Sequence, residues 1–193
     1  MKPLAKDEYL ALLSILLSMS AFGLYNWKLF SGQLSPNAAS WAVWAFVTVL
    51  NFTSYKSMTG DWWKALLPTA NSLLCVLTFA ILAVWGSFAP VNAYDHVAFL
   101  LGMTAGTIWG LTKSSKNAQI ILSLAIAIGF IPTYASVWKN PEGELFLAWF
   151  LWSVMFLVHA SVVRLRWRGQ KMDLLYPING FVQHFAVAVL ALR

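Results

Sequence analysis

Seven long apolar runs, separated by short polar or turn-forming stretches, set the pattern of the chain. They stand near residues 9–30, 38–55, 65–86, 96–112, 118–138, 145–163 and 174–192. Each holds roughly 17–22 residues, enough for a helix to cross the hydrocarbon core of a bilayer. The breaks read "SGQLSPN", "KSMTGDWWK", "GSFAPVNAYD", "TKSSKN", "KNPEGE" and "RLRWRGQKMD". Their Gly, Pro, Asn and charged residues end helices and start turns. In lipid, a segment must bond its own backbone N–H and C=O groups, so each run predicts a helix. The pattern predicts an all-α integral membrane protein with seven transmembrane helices. It forms one membrane domain over residues 1–193 and leaves no room for a soluble domain.

Lys2 and Lys6 before the first run would suit a secretory leader. The run from Tyr9 to about Phe30 is too long for a leader's apolar region, and no clear A-x-A site follows, so it is read as a spanning helix.

Polar residues inside the runs are spaced by helical turns. Trp41, Trp44, Thr48 and Asn51 share one face of the second helix, and Trp149, Trp152, Phe156 and His159 share one face of the sixth. Shifting the chain by 108 residues lays Trp41, Trp44 and Asn51 on Trp149, Trp152 and His159. One residue further, Gly60 falls on Gly169 and Pro68 on Pro177, with "LPTAN" (67–71) beside "YPIN" (176–179). Upstream, Trp27-Lys28 answers Trp138-Lys139. These matches predict two three-helix repeats, 9–86 and 118–192, joined by a linker helix at 96–112. One crossing by the linker makes the repeats parallel, related by an axis along the membrane normal.

Composition agrees with a membrane protein. Hydrophobic residues make up 60% of the chain and charged ones 10%, against about 25% charged in soluble domains. The 11 Trp suit interfacial belts. Cys75 is the one cysteine, which excludes an internal disulfide. The net charge of +6 lies between the runs and reads as a topology signal, with no nucleic acid as partner. Ten of the 13 Lys and Arg fall on the side of the N-terminus; Lys28, Lys139 and Arg193 fall on the other. That bias predicts an inside N-terminus and an outside C-terminus, in a bacterial cytoplasmic membrane.

With its three-plus-one-plus-three helices and paired Trp-x-x-Trp, the chain resembles the SWEET, PQ-loop and nicotinamide-riboside-carrier superfamily of small seven-helix transporters. The resemblance covers nearly the whole chain through architecture and sparse motifs. It implies a substrate pocket midway through the membrane, with an Asn from the third helix of each triplet, here Asn71 and Asn179. The vitamin carriers share a Trp-x-x-Trp followed by an amide or acid, here Trp41, Trp44 and Asn51. The chain departs from the family pattern at Pro132-Thr133, where a Pro-Gln pair is typical, and at Ala21 in the first repeat. The Trp-to-Asn spacing and the inside N-terminus also differ.

The residues themselves predict a polar layer near the inner third of the membrane. Asn51, Asn71, His159 and Asn179 come from four helices at similar depth, about 10 Å from each Trp pair, and Gln183 extends the line outward. Unpaired amides in hydrocarbon are costly, so these groups should face each other or a wet cavity. Trp44 and Trp152 would line that cavity. All seven carboxylates fall at the edges of the runs, which argues against a cationic substrate and against carboxylate-driven proton coupling. His159 is then the one titrating group of the layer. Bland readings stand beside these. Trp41 and Trp149 also suit interfacial belts, Asn51 and Asn71 suit helix–helix contacts, and a buried His159 suits a structural role. His96 reads as interfacial, and His184 as pointing off the Asn179 face. Pro68 and Pro177 fall in or near the first turn of their helices, while Pro132 should kink the fifth.

The functional expectation is a facilitative transporter for a small neutral or weakly polar solute, sugar- or nucleoside/vitamin-like. The alternative is a non-transporting receptor that binds a partner, with "RLRWRGQK" as contact site or lipid anchor. An enzyme is not expected, because no nucleophile–base pair, carboxylate dyad or metal set appears. A retinal pigment is excluded because the last run has no Lys. No cofactor is expected. Partners are the solute and the lipid bilayer, with a homo-oligomer left open.

Overall fold

The structure is a computed structural model that describes residues 3–34, 36, 38–85 and 93–193. Residues 86–92 of the loop expected between the third and fourth runs lie outside the described residues, as does Lys2, and the last three residues of that loop are the start of the fourth helix. Among the described residues the chain is all-α. The helices are α1 (Lys6–Phe30), α2 (Ala38–Thr59), α3 (Trp62–Trp85), α4 (Ala93–Thr112), α5 (Ser115–Gly129), α6 (Ile131–Lys139), α7 (Phe146–Leu165) and α8 (Leu175–Ala191). Short 3₁₀ turns, η1 (Pro141–Gly143) and η2 (Lys171–Leu174), precede α7 and α8. Because α5 and α6 run on from one another, the chain forms seven helical rods.

Five of these rods are long and apolar enough to cross a membrane: α1, α3, α5 with α6, α7, and η2 with α8. The protein is therefore an integral membrane protein. Helices α2 and α4 have the length, with 22 and 20 residues, but are not among these five.

Local chemistry explains where the helices stop. Gly60 has φ +60°, a left-handed value that glycine adopts freely just after a helix, and Gly169, with φ +81°, lies in the turn between α7 and η2. Asp61 then caps α3, its Oδ1 accepting from the Trp63 amide at 3.0 Å and the Lys64 amide at 3.4 Å. This cap starts α3 about one turn earlier than the apolar run suggests. Pro68 consequently lies inside the helix, which corrects the first-turn expectation. Pro177 is the third residue of α8. The fifth rod breaks at Phe130, and Pro132 sits at the start of α6, where its missing N–H costs little.

In the packing, α1 lies against α3 and α7, and α3 against α2. Helix α8 lies against α7, α5 and α6, while α4 covers α2 and α5. A small aliphatic cluster around Val47, Ala105 and Leu122 fills the space between α2, α4 and α5. The larger cluster is dominated by aromatic rings and sits between α1, α2, α7 and α8.

Buried charge ties the rods together at the end where α1 and α3 begin. Lys64 Nζ meets Asp173 Oδ2 at 2.7 Å, with side-chain exposures of 0% and 2%. Tyr55 donates to the Asp173 carbonyl at 2.7 Å. Arg166 Nε donates to Asp61 Oδ2 at 2.8 Å, and its Nη1 pairs with Asp7. Burial alone would raise the Asp61 carboxyl. The hydrogen bond and charge of Arg166, with the Lys64 and Trp63 amides, outweigh it and hold the group below its ordinary value. Such a carboxylate adds stability above its unfolded value of about 4 and loses it as pH falls through the lower folded value. Acid unfolding of the wild type in nanodiscs should therefore show a loss of stability below about pH 4, and Arg166→Gln should flatten that slope. An unchanged acid limb in the variant would remove Arg166 as the cause.

Candidate functional site

The aromatic cluster lines a cavity of about 60 Å³. Helix α1 supplies Phe22; α2 supplies Trp41, Trp44 and Thr48; α3 supplies Asn71 and Cys75. From the other half come Ile126 and Phe130, then Trp149, Trp152 and Phe156 of α7 and Tyr176, Asn179, Gly180 and His184 of α8. The i, i+3 spacing turns both Trp residues of each pair inward. The two pairs meet. Trp41 and Trp44 stand 5.2 Å apart at 76°, and Trp149 and Trp152 stand 5.0 Å apart at 69°. Across the cavity Trp44 meets Trp149 at 6.3 Å, and Trp41 meets Trp152 at 6.4 Å. These edge-to-face and tilted contacts make a box of rings. The break at Phe130 swings that ring to within 4.7 Å of Trp44. With exposures of 3% and 1%, Trp41 and Trp149 belong to the box and not to an interfacial belt.

The two asparagines stand in the wall, and their amides are engaged. Asn71 accepts from Ser18 at 2.6 Å and donates to Tyr176 at 3.1 Å. Asn179 donates to the Ser123 carbonyl at 3.1 Å and accepts from Gln183 at 3.2 Å. Each thus joins helices while bordering the cavity.

Of the residues singled out from sequence, Trp44, Trp152, Asn71 and Asn179 share this space. Gln183 stands behind Asn179 and is held by the Tyr134 hydroxyl. Asn51 and His159 are buried outside the lining, so the expected four-group layer does not surround one space. The reason is depth. Each lies seven residues beyond the inner Trp of its pair, about 10 Å along the helix, and the Ser18–Asn71–Tyr176 layer closes the cavity first. The Tyr176 ring touches Phe156 at 5.4 Å on the cavity side and His159 at 5.8 Å. Asn51 belongs instead to the contact with α5, where Gln119 donates to its carbonyl at 3.0 Å.

Sequence reasoning missed His184. Its ring lies 5.0 Å from Phe156, 5.4 Å from Trp149 and 5.7 Å from Trp152, with Nδ1 2.7 Å from the Gly180 carbonyl. The expectation that it points away is corrected because the cavity wraps α8 along Tyr176, Gly180 and His184, an i, i+4, i+8 stripe. That stripe was the available signal. Phe22, Phe130 and Tyr176 carried no signal beyond being aromatic.

Among the described residues no three His, Cys, Asp or Glu side chains gather as a metal set. No family model, no curated protein and no solved structure matches this chain. The functional reading rests on the cavity.

Proposed function

We propose that the protein is a facilitative transporter for a small neutral or weakly polar solute held in the aromatic box. The observation that carries this reading is the meeting of the two Trp-x-x-Trp pairs, one from each half of the chain, around one cavity. A cavity walled by both halves changes its access when the halves rock against each other. The reading includes α2 and α4 as spans, since they complete a seven-rod membrane unit with the other five. It also includes the SWEET-like parallel repeat. In support, α3 packs on α1 and α2 as α8 packs on α5, α6 and α7. The positive charge at the α1 start supports an inside N-terminus, and a bacterial cytoplasmic membrane goes with it.

The walls favour a flat, ring-bearing solute of nucleoside or vitamin type over a sugar. Rings offer stacking faces, and both wall asparagines are already hydrogen-bonded within the protein. The test is uptake of a radiolabelled panel of sugars, nucleosides and ring-bearing vitamins into proteoliposomes. One ring-bearing solute should enter. Trp44→Ala with Trp152→Ala should lower its affinity about tenfold or more, since each ring contact is worth about 0.5–1.5 kcal/mol. No uptake across the panel, or unchanged affinity in the double variant, would sink the reading.

A further inference from the structure

Glu144 is a carboxylate that ends up next to the box. It lies between η1 and α7, in a link where Asn140 and Glu142 are exposed. Its own side chain turns inward. One carboxylate oxygen accepts from Trp149 Nε1 at 2.9 Å, and the other accepts from the Tyr25 hydroxyl at 3.3 Å. Tyr25 is 0% exposed and Trp149 is 1% exposed. Trp149 is also a wall of the cavity, and Tyr25 rests on Trp41 at 5.3 Å and Trp152 at 5.5 Å. The carboxyl thus ties α1 to the first turn of α7 at one end of the box.

No cation answers it: among the described residues Glu144 makes no ion pair. Around it α1 carries Tyr25 and Lys28, the latter bonded to Gln33. Helix α6 carries Lys139, η1 carries Glu142, and α8 carries His184 on the other side of Trp149. Glu144 is half-buried, and a carboxylate drawn partly out of water without a counter-charge is costly; two neutral donors offset only part of that cost.

We propose that Glu144 is a proton-binding site that controls access to the cavity. Holding a proton, it stays tucked against Tyr25 and Trp149 and keeps this end of the box closed. When its O–H bond breaks and the proton goes to bulk water, the carboxylate swings out to be hydrated and releases Tyr25 and Trp149. No other reactant is needed. Burial outweighs the bonds from Trp149 and Tyr25 and pushes the carboxyl up to about 7, whereas a hydrated Glu sits near about 4.3. The sign follows by linkage. The closed form binds the proton more tightly, so acid favours closure, and a rise in pH through about 7 favours opening. The inference rests on the cavity being the solute site.

Cys75 is the one cysteine of the chain and lines the cavity, so its labelling reports access. The experiment measures the rate of modification by a small charged methanethiosulfonate in the full chain, reconstituted in liposomes, for wild type and Glu144→Gln. Thiol ionisation speeds both proteins alike and cancels in the ratio of rates. That ratio should stay near one at about pH 5.5 and reach about tenfold at about pH 8.5, with its midpoint near neutrality. Glu144→Asp should keep a pH-dependent ratio. Tyr25→Phe removes one donor to the ionised form and should label faster than wild type at neutral pH, which covers the case of an unfolded Gln variant. A ratio that does not change with pH overturns the proposal, as does Tyr25→Phe labelling at the wild-type rate throughout. Because the readout uses no solute, a protein that transports nothing can still show the pH-gated labelling. A flat ratio, conversely, leaves the transport reading standing.

Discussion

Lys64→Ala is expected to lower the free energy of unfolding by about 3–5 kcal/mol, the cost of leaving a buried charge without its partner. The pair it breaks is closed from water on both sides, with exposures of 0% and 2%. Asp173 would keep only the contacts around it, and its Oδ1 already has no protein partner. The removal would also unfasten α3 from η2. Equilibrium unfolding in mixed micelles checks the size of the effect. Lys64→Met combined with Asp173→Leu should restore most of the loss, because a neutral, filled site avoids both desolvation costs. A loss below about 1 kcal/mol in the single variant would mean that the pair behaves like a hydrated surface bridge.

Gly180→Ala is expected to be the most damaging small substitution in the cavity wall. A methyl carbon on Gly180 would stand 2.3 Å from Phe156 Cε1 and 2.4 Å from its Cζ, so α7 and α8 approach each other through this residue. Helix propensity alone would favour alanine by about 1 kcal/mol. The overlap reverses the sign, and overpacking of this kind costs about 1–3 kcal/mol. The Phe156 ring must move, and the free space beside it is the cavity, so solute binding should fall together with stability. Gly110→Ala is the matched control, since nothing lies within 4 Å of its added carbon. Gly180→Ala with Phe156→Leu should recover stability. Binding by Gly180→Ala at the wild-type level would show that the ring leaves in another direction.

These two predictions concern opposite faces of one arrangement. The ion pairs hold the rods at the end where α1 and α3 begin, and Gly180 lets α7 and α8 close on each other above it. Gly180 stands in the wall of the box, and Glu144 lies at the end away from the ion pairs. The charge network is internally compensated, whereas Glu144 is not. By the proposal above, the Glu144 end would respond to protons near neutral pH, whereas the Asp61 end responds only in acid.

Much of the helical pattern was legible in the chain. An apolar run flanked by "SGQLSPN" or "KNPEGE" has few other ways to satisfy its backbone in lipid. The inward face of α2 and α7 was legible too, because Trp residues three apart must share a side. Local chemistry shifted some details, as when the Asp61 cap placed Pro68 inside α3. Depth was not legible. Seven residues separate Asn51 from Trp44 and His159 from Trp152, and the periodicity puts them on the face of the cavity. Whether the cavity extends that far depends on Tyr176, which comes from another helix.

The sequence by itself determined the helices, their apolar character and the side on which each Trp pair lies, because each of these follows from neighbours within a turn or two. The tertiary structure alone decided which side chains share a space. Glu144 reads as an edge residue until Tyr25, 119 positions away, donates to it. His184 reads as turned aside until four rings surround it. Such meetings depend on the rotation and depth at which rods distant in the chain pack together, and close packing of side chains, which no local pattern records, sets both.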